Sequence, residues 1–438
     1  MPRLLSLDGG GSWALIQVRA LIDLYGYNAT GYDVLADFDL VTANSGGSIV
    51  AGALAAGWPL SQTLNLFLSA ANRNTIYVPS DWLDRLENSV FGVGPRYDTR
   101  GKLAGLRNLY GGFGATPMDQ LPAALAASPA GHGVDFIVSA FDYDLRRAVL
   151  FRSNRASAAA PQVQVPVVSV AESINASTTA PVIYFDSPAP FPSPPATPAY
   201  RFWDGGISGL NNPVLVGVME LLANGFTADR IQVLSIGTGT VRRPIPPGFA
   251  AAPDARFQDP SHPGTLVDIK ELAGAIVDDP PDEATYMAYL ALGGRLPTAP
   301  ILSPLAPGAF VRMSPVVQPL SSPDLVNLDN NPPGSLQAPP SLADPNLAPG
   351  PSPLDNFGAL ARLNMDAVDA SQVNLIQLLA TAWIAGGVYN QPVRSNHTFG
   401  CEIGHRFYPD AKAAWLGVVG RAAPPPPPDP RSNIPSGP

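Results

Sequence analysis

Apolar positions along the chain fall into two kinds of run. Short runs rich in β-branched and aliphatic residues occur at Leu4–Leu7, Leu40–Ala43, Phe136–Ala140, Val149–Arg152 and Gln232–Ile236. Such runs, bounded by Gly, Pro or Asp, predict buried strands. Between them, apolar residues recur at helical spacing over Trp13–Leu24, Ser48–Ala56, Leu60–Ala71, Val170–Ala176 and Pro213–Asn224. Alternating strands and helices predict an α/β fold with a mostly parallel central sheet flanked by helices. Helical character returns over 357–388, including Leu375–Ala385.

The pattern lapses where proline takes over. The chain holds 50 prolines, and residues 319–354 are Pro-, Ser- and Asn-rich without apolar periodicity. This predicts an irregular loop or insertion. Pro424 through Pro428 lie in a terminal stretch, 423–438, that reads as a disordered tail of polyproline II character. The expected organisation is one α/β domain over 1–388, an extension over 389–422, and the tail.

Three breaks in the pattern carry candidate chemistry. Leu40–Ala43 runs through Asn44-Ser45-Gly46-Gly47 into an Ala-rich helix, which puts Ser45 on a tight strand-to-helix turn. A serine so placed presents its hydroxyl near the positive end of a helix. It becomes a nucleophile only when a base takes its proton. Asp204, in Asp204-Gly205-Gly206, is the candidate base. Asp8-Gly9-Gly10-Gly11-Ser12 separates the first strand from the first helix. Its glycines let backbone N–H groups converge on one point, as an oxyanion hole requires. The same loop also fits a phosphate cradle. On the oxyanion reading, a bulky residue at Gly10 should cut turnover and leave the melting temperature nearly unchanged.

These blocks, in their order, resemble the patatin-like phospholipase family. Asp8-Gly9-Gly10-Gly11 matches its glycine-rich oxyanion segment, and Phe38-Asp39-Leu40 leading to Ser45 matches its nucleophile elbow. Tyr97-Asp98 with Gly101 and Leu103, then Phe113-Gly114, resembles the stretch that follows. Ser173 through Ala180-Pro181 and Tyr184-Phe185 resembles its Ala/Ser-rich helix. Asp204-Gly205-Gly206 with Asn211-Asn212-Pro213, and Ser235-Ile236-Gly237-Thr238-Gly239, complete the series. The resemblance covers most of 4–240. It implies a lipid acyl hydrolase with a Ser45–Asp204 dyad, an oxyanion hole at Gly9, Gly10 and Gly11, and no cofactor or metal.

Two positions depart from the family pattern. Trp13-Ala14 stands where the glycine segment usually continues to a basic residue and a glycine, and Ala43 replaces the first glycine of the elbow. A dyad needs no histidine, and His132, His262, His397 and His405 read as structural or solvent-facing. Leu64, Leu66, Phe67, Ile76, Tyr77, Trp82, Leu83 and Phe91 supply apolar surface for a lid, a groove or the core.

Composition narrows the partners. With 438 residues and 46% hydrophobic content the chain buries at least one large core. A net charge of −9 disfavours nucleic acid as a partner. Cys401 is the single cysteine, so no internal disulfide forms. No signal-peptide h-region or membrane-length apolar run is found, so a cytoplasmic location is expected, with transient contact to a membrane or lipid aggregate. Two other readings stay open. Gly9-x-Gly11-x-x-Ala14 with Asp33 downstream loosely fits a dinucleotide fingerprint. Trp13 and Ala43 leave room for a degenerate lipid-binding protein.

Overall fold

The computed structural model describes residues 1–79, 96–181, 184–192, 199–241, 280–294, 310–317, 353–390, 393–394, 402–405 and 407–425. The Pro-rich segment 319–354 falls almost wholly outside them, as do 426–438, His262, His397, Cys401, Trp82, Leu83 and Phe91.

The expected strands form as β1 (Arg3–Leu7), β2 (Leu40–Ala43), β3 (Asp135–Asp142), β4 (Arg147–Arg152) and β7 (Gln232–Ile236). Four others have no clear apolar run behind them: β5 (Ala189–Phe191), β6 (Tyr200–Asp204), β8 (Thr240–Val241) and β9 (Phe310–Met313). The main sheet runs β5-β6-β3-β2-β1-β7-β9, with β4 also on β3. Its centre is parallel: β3, β2, β1, β7 and β9 all run one way. At one side β4 and β6 pair antiparallel with β3, and β5 pairs antiparallel with β6. The fold is thus α/β, with the parallel sheet that the sequence pattern predicts.

Alternation sorts the side chains of each central strand to two faces. Leu5, Leu7, Val41, Ala43, Leu234 and Ile236 enter one core. Leu4, Leu40, Ile137, Val233 and Phe310 enter a second core on the other face. The larger core takes in α1 (Leu15–Tyr25), α3 (Ser45–Ala55), α4 (Leu60–Leu68), α6 (Thr99–Tyr110) and α8 (Val170–Ser177). The smaller is covered by α9 (Val214–Ala223) and α10 (Pro280–Ala291). Helix α2 (Gly31–Leu35) opens on a capping box, in which Thr30 accepts from the Asp33 amide and the Asp33 carboxylate accepts from the Thr30 amide. The expected helix over Leu60–Ala71 is divided, because Ser69 turns extended and its hydroxyl caps α5 (Ala70–Ile76). Helices α7 (Leu121–Ala126), α11 (Pro353–Ala361), α12 (Ala370–Ile384) and α13 (Tyr408–Val419) complete the described set. Helix α13 packs into the larger core, where Trp415 stacks on Phe38 with ring centroids 5.3 Å apart.

Strand β3 decides where the site forms. Ile137 and Val138 pair with β2 on one edge and β4 on the other. Ala140, Phe141 and Asp142 pair with β4 and with β6. Since β4 holds one edge throughout, β2 and β6 must share the opposite edge, one after the other. The last residue of β2 is Ala43, paired with Val138, and the last of β6 is Asp204, paired with Ala140. Two strands entering one slot from opposite ends therefore finish facing each other, and Asn44-Ser45 leaves β2 at that meeting point.

Candidate active site

Ser45 begins α3 directly, three residues earlier than the periodicity predicts, and has φ 46°. A non-glycine residue in the left-handed region costs roughly 1–3 kcal/mol and persists only where the surroundings enforce it. Here Asn44 before it is extended, and the Ser45 amide donates to Ser177 Oγ at 2.8 Å. The strain turns the side chain out of the strand line while keeping it at the helix N-terminus. Ala43 lies in β2 with its methyl group in the larger core, so the elbow accepts alanine where the family has glycine.

Asp204 is 6% exposed, its carboxylate accepts from the Gly206 amide (2.8 Å) and Asn44 Nδ2 (3.1 Å), and the Ser45 hydroxyl stands beside it. Burial pushes its pKa above the ordinary carboxylate value. The Ser45 hydroxyl, those two hydrogen bonds and the charge of Lys102 pull against that push. The upward direction suits a base, since an aspartate at about 3.9 is a weak one. Asn44 is the orienting residue the sequence reading missed. Its Oδ1 accepts from Ser139 Oγ at 2.6 Å, which fixes the amide so that Nδ2 faces Asp204. Its place beside Ser45 was the only signal.

The glycine loop lies against this pair. A Cβ built on Gly9 would sit 2.2 Å from Asn211 Oδ1 and 3.0 Å from the Ser45 Cβ, so nothing larger than glycine allows the approach. The Gly9 amide itself donates to the Asn211 carbonyl at 2.8 Å. The expectation of three oxyanion donors is corrected on that ground: Gly9 supplies closeness, and the candidate donors reduce to Gly10 and Gly11. The expected neutrality of Gly10 substitution is corrected as well. Gly10 has φ 151°, and a Cβ there would meet Thr238 Oγ1 at 2.3 Å, while that hydroxyl donates to Gly9 O at 2.6 Å. Gly10→Ala is therefore expected to lower the melting temperature along with turnover. An unchanged thermal unfolding curve would contradict this geometry.

A small open cleft lies at Ser45, lined among others by Gly11, Gly46, Ile76, Tyr77, Phe185 and Met365. Leu64, Leu66 and Phe67, candidates for a lid or groove, are buried core residues instead, and Ile76 and Tyr77 reach the cleft. Trp13 does not enter the cleft. Its indole Nε1 donates to the Asn364 carbonyl, and Ser12 N donates to Met365 O, so the loop pins the 364–366 segment over the site.

A buried basic residue reaches the glycine loop from elsewhere in the chain. Arg312 of β9 grips Asp8 with both guanidinium nitrogens, at 2.9 and 2.6 Å, and Nη1 also donates to Ser235 Oγ. Neither group is more than 3% exposed. Burial raises the pKa of Asp8, and Arg312 draws it back down.

The described histidines, His132 and His405, do not line the cleft. Both His132 ring nitrogens lie at carbonyls, Ala130 O and Phe38 O. Half-buried His405 has its pKa pushed down by burial. Among the described residues no group of His, Cys, Asp and Glu could hold a metal, and no helix is long and apolar enough to cross a membrane.

No curated protein sequence matches the chain. Similar solved structures include full-length ExoU with full-length SpcU, from the type III secretion system of Pseudomonas aeruginosa (16% identity, TM-score 0.24, 41% of this chain and 38% of that one). The type III effector protein ExoU is another (19%, TM-score 0.22, 40% of each chain). VipD from Legionella pneumophila is a third (11%, TM-score 0.32, 96% of this chain and 75% of that one). The chain thus spans about two fifths of the length of the ExoU chains it matches. The family model described as Patatin-like phospholipase matches residues 5–218. That span contains the glycine loop, the Ser45 elbow and Asp204, so residues 5–218 are similar to the patatin-like phospholipase domain.

Proposed function

We propose that the chain is a serine acyl hydrolase of lipid esters, with Ser45 as nucleophile and Asp204 as general base. The observation that carries this reading is a strained Ser45 that stands beside the buried Asp204 carboxylate, in a cleft next to a glycine loop. Ser45 Oγ attacks the ester carbonyl as its proton passes to Asp204. The carbonyl oxygen becomes an oxyanion facing the Gly10 and Gly11 amides, where each donor is worth roughly 10²–10³ in rate. The tetrahedral centre collapses, the C–O bond breaks, and Asp204 gives its proton to the departing alcohol. Water then attacks the acyl-serine, Asp204 takes the proton from it, and the fatty acid leaves as Ser45 is reprotonated. Ile76, Phe185 and Met365 offer apolar contact to an acyl chain. A lipid substrate brings the protein to a membrane or lipid aggregate, and the chemistry needs no cofactor.

The dinucleotide reading has less support. The Asp33 carboxylate, which would receive the ribose, already accepts from the Thr30 amide and hydroxyl at 2.7 Å each. A fluorophosphonate probe tests the main reading. Labelling is expected at Ser45 alone and is expected to vanish in Ser45→Ala together with hydrolysis of an activated acyl ester. A label on another serine, or ester turnover surviving in Ser45→Ala, would overturn it.

A further inference from the structure

Lys102 is fully buried, and the chemistry just described makes no use of it. It projects from α6, and its Nζ lies against the C-terminal end of α8. It donates to Asn175 O at 3.0 Å, Thr178 Oγ1 at 3.0 Å and Thr179 Oγ1 at 2.6 Å. The protonation state can be read from these partners. The Thr178 hydroxyl spends its proton on Ile174 O at 2.7 Å, and the Thr179 hydroxyl spends its own on Asn175 O. Both hydroxyl oxygens therefore face Nζ as acceptors. With Asn175 O they make three acceptors for the three protons of an ammonium. A neutral amine has two protons and would leave one acceptor opposite its lone pair. The Phe185 ring, 4.0 Å from Nζ, and the negative end of the α8 dipole favour the cation too.

The turn that Lys102 holds touches both proposed catalytic residues. Ser177 Oγ accepts the Ser45 amide, and Thr179 O accepts the Asp204 amide at 2.8 Å. Resting on the acyl hydrolase reading, we propose that Lys102 is a positioning residue. Its ammonium locks the 175–179 turn under Ser45 and Asp204 and keeps Asp204 in the carboxylate form that accepts the serine proton.

The charged neighbours leave this role to Lys102. Burial holds its own pKa well below the ordinary lysine value, with Asp204 and Asp186 pulling only part of the way back, and the three acceptors and the Phe185 ring are what favour the ammonium against that push. Lys102 is the cation whose charge acts on Asp204, which otherwise meets the neutral Ser45, Asn44 and Gly206 amide. Tyr77, at the end of α5, feels the Asp204 charge as a neutral phenol held protonated by burial. Arg73 on α5 is turned onto the Phe67, Leu68 and Val368 carbonyls. On α8, Glu172 is engaged by Arg107 and the Ser169 cap. Asp98, at the start of α6, caps the Arg100 and Gly101 amides.

The test is the pH profile of kcat/KM for an activated acyl ester, whose acid limb reports the base. Removing a cation beside a carboxylate favours protonation. Lys102→Met is therefore expected to move the acid limb to higher pH and to lower kcat/KM at pH 7 by about 10–10²-fold. Lys102→Arg, which keeps the charge, is expected to return the limb toward its wild-type position. If Lys102→Met does not fold, Thr179→Val removes one ammonium acceptor and is expected to move the limb the same way by less, while Thr179→Ser leaves it in place. An acid limb that stays put in folded Lys102→Met or Thr179→Val, or that Lys102→Arg moves equally far, would overturn the proposal while Ser45 labelling stands. A wild-type protein that neither labels at Ser45 nor cleaves esters would instead overturn the hydrolase reading, and this role with it.

Discussion

Asp204→Asn is expected to lose about 10²–10⁴-fold in ester turnover, the usual cost of removing one general base. It is also expected to be no less stable than the wild type at pH 7–8. Both effects come from the same burial. An amide cannot take the Ser45 proton, but its oxygen can still accept from the Gly206 amide and Asn44 Nδ2, so the turn keeps its geometry. The folded carboxyl has a raised pKa, chiefly through desolvation. A group of this kind contributes stability that is fully present below its unfolded pKa of about 3.9 and lost as pH rises through the folded value. At neutral pH the wild type carries that loss and the asparagine variant does not. The stability difference should thus grow in favour of Asp204→Asn as pH climbs from about 4 to 8, which thermal unfolding across that range would measure. Near-normal turnover in the variant would remove Asp204 from the reaction. A stability difference that shrinks with rising pH would show that its carboxylate is not held under a desolvation cost.

How much of this was legible before the structure depended on distance along the chain. Strands β1, β2 and β7 are apolar on both faces because both faces are covered, and buried strands of that kind announce themselves in sequence. The elbow and the glycine loop were readable because each is a local change from strand to helix marked by small residues. Strand β6 gave no such signal. Tyr200-Arg201-Phe202-Trp203 has only Phe202 deeply buried, and its place beside β3 is set by pairing across more than fifty residues of chain. Asn44 was visible as a neighbour of Ser45, but its partners Ser139 and Asp204 come from β3 and β6, which no spacing rule joins to it. Lys102 carried no signal in the sequence, and only the packing of α6 on α8 turns its charge inward. The donor role given to Gly9 failed for the same reason, since the Asn211 carbonyl that takes its amide arrives after Asp204-Gly205-Gly206.

Arg312→Met is expected to destabilise the protein by about 3–5 kcal/mol, the usual cost of leaving one member of a buried ion pair uncompensated. Against a total stability of about 5–15 kcal/mol, this is the largest single effect on folding the site offers. Arg312 sits on β9, at the sheet edge beyond β7, and reaches under the glycine loop to fill both oxygens of Asp8. Asp8 also joins the loop to β7, since its amide donates to Ile236 O at 3.1 Å. Without the guanidinium, the Asp8 carboxylate must stay buried and unpaired or take up a proton. Its folded pKa, already raised by burial, then rises further. The sign of the pH dependence follows: the variant keeps stability below the unfolded value of about 3.9 and loses it as pH rises through the folded pKa, so its deficit should be smallest in acid. The double variant Asp8→Asn/Arg312→Met removes both charges and should recover most of the loss, because a buried pair exchanged for neutral groups of similar size is often nearly neutral in stability. Denaturant unfolding of the two single variants and the double variant completes the cycle. Losses that simply add would mean that Asp8 and Arg312 act independently. The coupling expected here would instead show that β9 holds the glycine loop through the buried Asp8–Arg312 pair.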